Sequence, residues 1–227
     1  MRKLLSFLIF LLTIPAFSQE EPDFNAVDSL YREDQFYFAF TYNILRHKPT
    51  GVSQNKFAPS FSAGFLRDMP INKRRNFAIA AGLGYSINDY NYDLLIDQSS
   101  GTLTYAPNGN IDFDKNKLIL HYLELPIEVR WRTSRPESHI FWRVYGGFKF
   151  SYLVFDRQKF QSDSSKYSVS NNQDLNELQL GTYLAVGNNT WNLTAYYGLT
   201  PLYKSAEING RPIDLQTLNI GLMFYIL

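Results

Sequence analysis

The chain contains no cysteine, which excludes disulfides, thiolate metal sites and a lipid-modified cysteine after an export signal. Histidine is scarce: His47, His121 and His139 are all there is. They share no ligand spacing, so we expect no metal site and no cofactor. Net charge is nearly absent at +1, and no basic run carries interleaved aromatics. Nucleic acid is therefore not an expected partner. Long apolar runs are missing too; the one at 4–14 falls well short of the roughly 20 residues that a membrane-crossing helix needs.

Aromatic residues, by contrast, are abundant, with 16 Tyr and 18 Phe. They favour strands and sit well at membrane interfaces. Hydrophobic residues at 45% and charged residues at 19% fit one folded domain rather than disorder or a helical membrane protein. The first residues read as an export signal. Arg2 and Lys3 precede the apolar run, and Ala16-Phe17-Ser18 offers a small-x-small cleavage site before Gln19. We expect a signal peptide at 1–18 cleaved after Ser18, a polar periplasmic linker at 19–34, and a folded body at 35–227.

That body alternates with period two, the mark of a strand with two different environments. Phe36, Phe38, Phe40, Tyr42 and Ile44 share one parity, with Tyr37, Ala39, Thr41 and Asn43 on the other. The pattern returns around 57–65, 77–87, 118–132, 140–152, 178–184, 191–199 and 218–226, predicting eight strands of membrane-spanning length. Pro126 is expected to mark an irregularity in the fourth. Alternation alone also suits a soluble sandwich. The connections favour a barrel, because 46–56, 93–116, 156–174 and 201–213 are long whereas 69–75, 133–138 and 187–190 are short. Short periplasmic turns and long external loops produce that asymmetry. Trp131, Trp142 and Trp191 all fall beside the short turns on the apolar parity, as one edge of an interface girdle would. The fold expected is an all-β, eight-stranded antiparallel up-and-down transmembrane barrel in the outer membrane, with membrane lipid as its first partner.

The opposite parity carries Glu124, Glu128, Arg130, Arg132, Arg143, Tyr145, Lys149 and Tyr183. In a barrel this narrow those side chains fill the lumen, giving a polar and mostly plugged interior. If 133–138 is a simple hairpin turn, Glu128 lies opposite Arg143 and mixed-sign pairs form a ladder along this wall.

Chemistry has few candidates. A Ser-His-acid or paired-Asp arrangement could draw on Asp89, Asp93, Asp97, Ser99, Asp112 and Asp114 with His121, but their spacing specifies no geometry, so no catalytic residue is assigned. Gly82-Leu83-Gly84 lacks the third glycine and following helix of a nucleotide loop and lies inside an alternating strand. The Asp112 and Asp114 pair has no EF-hand context.

The Ser18-Gln19 junction, the eight-strand plan and the segment Tyr-Leu-Glu-Leu-Pro-Ile-Glu-Val-Arg at 122–130 together resemble the PorT-like outer-membrane barrels of Bacteroidota, whose corresponding strand reads Tyr-Leu-Glu-Ile-Pro. The resemblance would cover nearly the whole mature chain. It implies an integral outer-membrane protein without catalytic residues, associated with type IX secretion and gliding motility, with other envelope or secretion proteins as partners. This chain departs from it in ending Phe224-Tyr225-Ile226-Leu227 rather than on an aromatic residue, and in the stretch at 64–70. A small passive channel or ligand-binding barrel is the alternative suggested by the polar wall and long loops, and a lipid-modifying enzyme centred on His121 is a third.

Overall fold

The structure, a computed structural model, describes residues 32–54, 56–98, 101–109, 111–133 and 141–226. The expected signal peptide at 1–18, most of the expected linker, Ser99, and residues 134–140 with His139 lie outside the described residues. Eight long strands form the body: β1 (Gln35–Arg46), β2 (Pro59–Pro70), β3 (Phe77–Asn91), β6 (Lys115–Arg132), β7 (Trp142–Gln161), β9 (Leu178–Asn188), β10 (Trp191–Gly198) and β13 (Gln216–Ile226). Each pairs antiparallel with its neighbour in sequence, and β13 returns to β1 to close the ring. Closure satisfies the backbone without a free edge, the condition for crossing a bilayer with strands.

Long and short connections alternate as the sequence indicates, and both ends of the ring's chain, Phe36 and Ile226, meet at the short-turn end. The long loops contain structure of their own. The short strands β4 (Leu94–Asp97) and β5 (Thr104–Pro107) make a hairpin, β8 (Lys166–Ser170) folds back on the far end of β7, and β11 (Glu207–Ile208) pairs with β12 (Arg211–Pro212).

The two parities separate as a bilayer requires. Outward positions carry large apolar groups, with Leu83 72% and Leu193 68% exposed. A water-soluble protein rarely shows so continuous an apolar surface; against lipid chains it is matched. Trp131, Trp142 and Trp191 point outward at the short-turn end.

One feature of register differs from expectation. Arg143 stands level with Arg132, and Glu128 pairs with Gly147. The β6–β7 connection is longer than a six-residue hairpin: the Thr133 amide bonds the Trp142 carbonyl, closing the turn four residues later. Glu128 and Arg143 are therefore not cross-strand partners. The irregularity expected at Pro126 lies on one side of the strand only, because Pro126 keeps its register with Lys149. The β6–β7 shift falls instead between His121 and Tyr122, where Val154 is the extra residue. Pro126 does leave a trace on the other side. The β3–β6 ladder lapses between the Ala81–Ile127 and Gly84–Glu124 pairs, where proline has no N–H to donate.

Candidate functional site: a filled lumen and a folded external cap

Inward positions divide the lumen into three levels. Nearest the short turns lies an ionic layer. The Asp68 carboxylate on β2 accepts two bonds from Arg132, Nη1 to Oδ1 and Nη2 to Oδ2, each 2.8 Å, and one from Arg130 Nη1 at 2.9 Å. All three side chains are fully buried. Arg130 Nε bonds Glu128 Oε1 at 2.6 Å, and the Tyr183 hydroxyl donates to Glu128 Oε2 at 2.5 Å. Pairing and hydrogen bonds offset the cost of burying a charge, and the two-pronged guanidinium–carboxylate geometry is the strongest such arrangement.

Arg143 is held differently. Its guanidinium lies 4.6 Å from the Phe141 ring centre, 5.3 Å from Tyr225 and 5.7 Å from Tyr145, a cage of aromatic faces for a cation. Arg130 also covers Tyr145, at 4.8 Å. The like-charged Arg132–Arg143 pairing is tolerated because Asp68 neutralises one member and aromatic rings hold the other. Glu33 and Asp34 belong to this layer: Glu33 is buried, its amide bonding Asp68 and its carbonyl accepting Arg130, and the Asp34 carboxylate accepts the Asp68 amide.

At mid-height Lys149 Nζ meets Glu124 Oε2 at 2.9 Å and sits over the rings of Tyr183 and Tyr196. Serines, threonines and asparagines surround the pair, leaving a cavity with about 50 Å³ of room for water centres, enough for a few waters and no larger ligand. All eight polar lumen residues singled out from sequence, Glu124, Glu128, Arg130, Arg132, Arg143, Tyr145, Lys149 and Tyr183, are placed inward in these two levels. Asp68, the hub of the first, is not among the residues that the sequence pattern singles out. The signal was there, since 60, 62, 64 and 66 share its parity and the alternation runs on to it.

The third level is the external cap, where all four long loops interlock. Ser53 Oγ of the first bonds Asp93 Oδ2 of the second at 2.6 Å. Tyr105 of the second donates to Asp174 of the third at 2.8 Å, and Ser205 of the fourth bonds the same carboxylate at 2.6 Å. Tyr92 and Tyr203 share a 2.8 Å hydroxyl contact over a buried apolar cluster that includes Leu94, Ile96, Leu175, Leu202 and Leu215.

Burial raises the hydroxyls of Tyr92, Tyr105 and Tyr203 above their ordinary 10.0, and the Asp174 carboxylate raises Tyr105 further. Unfolded tyrosines ionise near that value and these do not. Their contribution is complete below about pH 10 and is lost as pH climbs from there through the raised values. Protease protection of the external loops is expected to hold to about pH 10 and to fall above it; loss of protection already at pH 8 would contradict this account of the cap.

His121 lies outside the lumen, with its Nδ1 2.6 Å from the Tyr85 hydroxyl and its ring edge-on to Phe155. Asp89 is engaged by Lys117 and Asp93 by Ser53. Among the described residues His121 hydrogen-bonds Tyr85 and no serine; Ser99, the serine of that candidate set, lies outside them. Among the described residues no group of three or more histidines and carboxylates is placed to hold a metal ion.

A closed eight-strand ring with an apolar outer belt, a filled lumen and long loops at one end defines an outer-membrane β-barrel. The chain belongs to the outer membrane protein beta-barrel domain family, whose model matches residues 17–204. None of the curated proteins matches it. Among solved structures, the attachment invasion locus protein Ail of Yersinia pestis, in complex with the heparin analogue sucrose octasulfate, is 9% identical, covering 85% of this chain and 97% of its own, with a TM-score of 0.37. A mutant porin of Rhodopseudomonas blastica is 7% identical over 85% of this chain and 99% of its own, with a TM-score of 0.23.

Proposed function

We propose that this protein is a non-enzymatic structural barrel of the outer membrane that works through its two ends, binding other envelope proteins, rather than through its lumen. The observation that carries the reading is the occupied interior: an ionic layer at one mouth and an interlocked cap at the other, with room between for a few waters. The resemblance of 122–130 to PorT-like barrels supports a place as an accessory component of type IX secretion or gliding machinery. Mild-detergent purification from outer membranes without crosslinking, followed by mass spectrometry, tests this. Recovery of secretion or assembly components is the expected result. A clean monomer would sink the partner-binding reading and turn attention to the channel or ligand-binding alternative, for which the cap would have to open.

A further inference from the structure

We propose that the outward face of the β6–β7–β8 extension is a binding surface for the phosphate groups of outer-leaflet lipid. The inference rests on the membrane orientation above, with the long loops external, and is independent of the partner-binding reading.

Position comes first. On β6, Trp131 marks the short-turn interface and His121, beside Tyr85 and Phe155, ends the outward aromatic belt. Ten residues at roughly 3.3 Å each, tilted by about 40°, rise about 25 Å, the height of a barrel's apolar band. Beyond His121 the same face turns cationic. Ile119 stands beside Arg157, Lys117 beside Lys159, Lys115 beside Gln161, and Gln161 beside Lys166. The Lys117–Lys159 pair then lies about 10 Å above the belt, at headgroup depth.

Charge comes second. Lys117 and Lys159 are direct cross-strand neighbours, an arrangement that repels unless something neutralises it. Asp89 takes Lys117 at 2.6 Å. Lys115, Arg157, Lys159 and Lys166 make no ion pair with the described residues, whereas Arg67, Lys117, Lys149 and Lys204 do. The four unpaired cations border one shallow groove with Ser168, a hydroxyl donor among them. Arg157 also lies 6.0 Å from the Phe155 ring, joining the cationic face to the apolar belt without a break. A ligand with acyl chains below and phosphates above meets both halves at once. A soluble anion meets only the upper one.

The test uses the full-length mature protein in detergent, with native mass spectrometry reading retained lipid after addition of lipid A carrying both phosphates. Wild type is expected to retain it, and the quadruple variant Lys115→Gln, Arg157→Gln, Lys159→Gln, Lys166→Gln to lose at least about tenfold, on the order expected for removing several surface cations. Raising salt should erode wild-type binding. Inorganic phosphate at millimolar excess should not compete; full competition would mean that a free anion, not lipid, is the ligand, and would overturn the proposal. Equal retention of dephosphorylated lipid A, or by the quadruple variant, would also overturn it. Lys159→Gln alone, expected to weaken retention, guards against misfolding of the quadruple variant. Lys204→Gln with Arg211→Gln, in the fourth loop, should leave retention unchanged.

Discussion

Replacing Asp68 with alanine is expected to cost about 3–5 kcal/mol of barrel stability, the penalty for leaving buried guanidinium groups without their counter-charge. The carboxylate holds both Arg130 and Arg132, and no solvent reaches any of the three side chains. Asparagine at 68 keeps one acceptor oxygen and should cost less. A control sits one residue away: Arg67 pairs with Asp34 at 2.8 Å, but the arginine side chain is 56% exposed. Arg67→Ala should therefore cost under about 1 kcal/mol. The temperature at which the folded band disappears in a gel-shift assay reads all three, and the account requires the order Asp68→Ala, Asp68→Asn, Arg67→Ala from most to least damaged. Equal melting of the Asp68 and Arg67 variants would remove the ionic layer from the explanation of stability.

The second large effect is expected at a glycine. A Cβ on Gly147 would overlap the Ile127 carbonyl oxygen and come within 2.6 Å of Glu128 Cα on the neighbouring strand. The strands of a small barrel bend sharply, and glycine lets two backbones close up where they do. Gly147→Ala must push β6 and β7 apart at the seam that carries Glu128, and overpacking of this kind costs about 1–3 kcal/mol. The preceding residue gives the opposite forecast. A Cβ on Gly146 meets nothing closer than 3.4 Å, so Gly146→Ala should change stability by no more than about 0.5 kcal/mol. Urea unfolding of the two variants in the same micelles compares them directly; the idea fails if Gly146→Ala is the more damaging.

How much of this was legible in the sequence follows from which interactions are local. Alternation is a property of neighbouring residues, so eight strands, their faces and the inward set from Glu124 to Tyr183 could be read directly. Loop length is equally local, and it ordered the two ends. Register depends on where a turn closes. The Thr133–Trp142 bond is invisible to a count of turn residues, so the count places Arg143 opposite Glu128 where the closed turn places it opposite Arg132. Asp68 and Arg132 are 64 residues apart, and nothing in a single strand announces that β2 and β6 aim at the same point across a lumen.

The cap was hidden for a related reason. Stretches such as 93–116 and 156–174 are rich in acidic and amide residues and read as solvated loops. Leu94, Ile96 and Tyr105 of the first find a core only when they meet Val52, Leu175 and Leu202 from elsewhere in the cap. Strand β7 likewise runs on to Gln161 and gains β8 as a partner, which moves the cationic residues from loop to sheet and gives them a shared face.

Ion conductance through the full-length protein in planar lipid bilayers decides whether the lumen is closed, because a lumen blocked by the Asp68 layer and the loop cap cannot pass a steady current. No stable unitary steps are expected at either polarity in molar potassium chloride. Reproducible ohmic steps from the intact, folded protein would contradict a closed lumen.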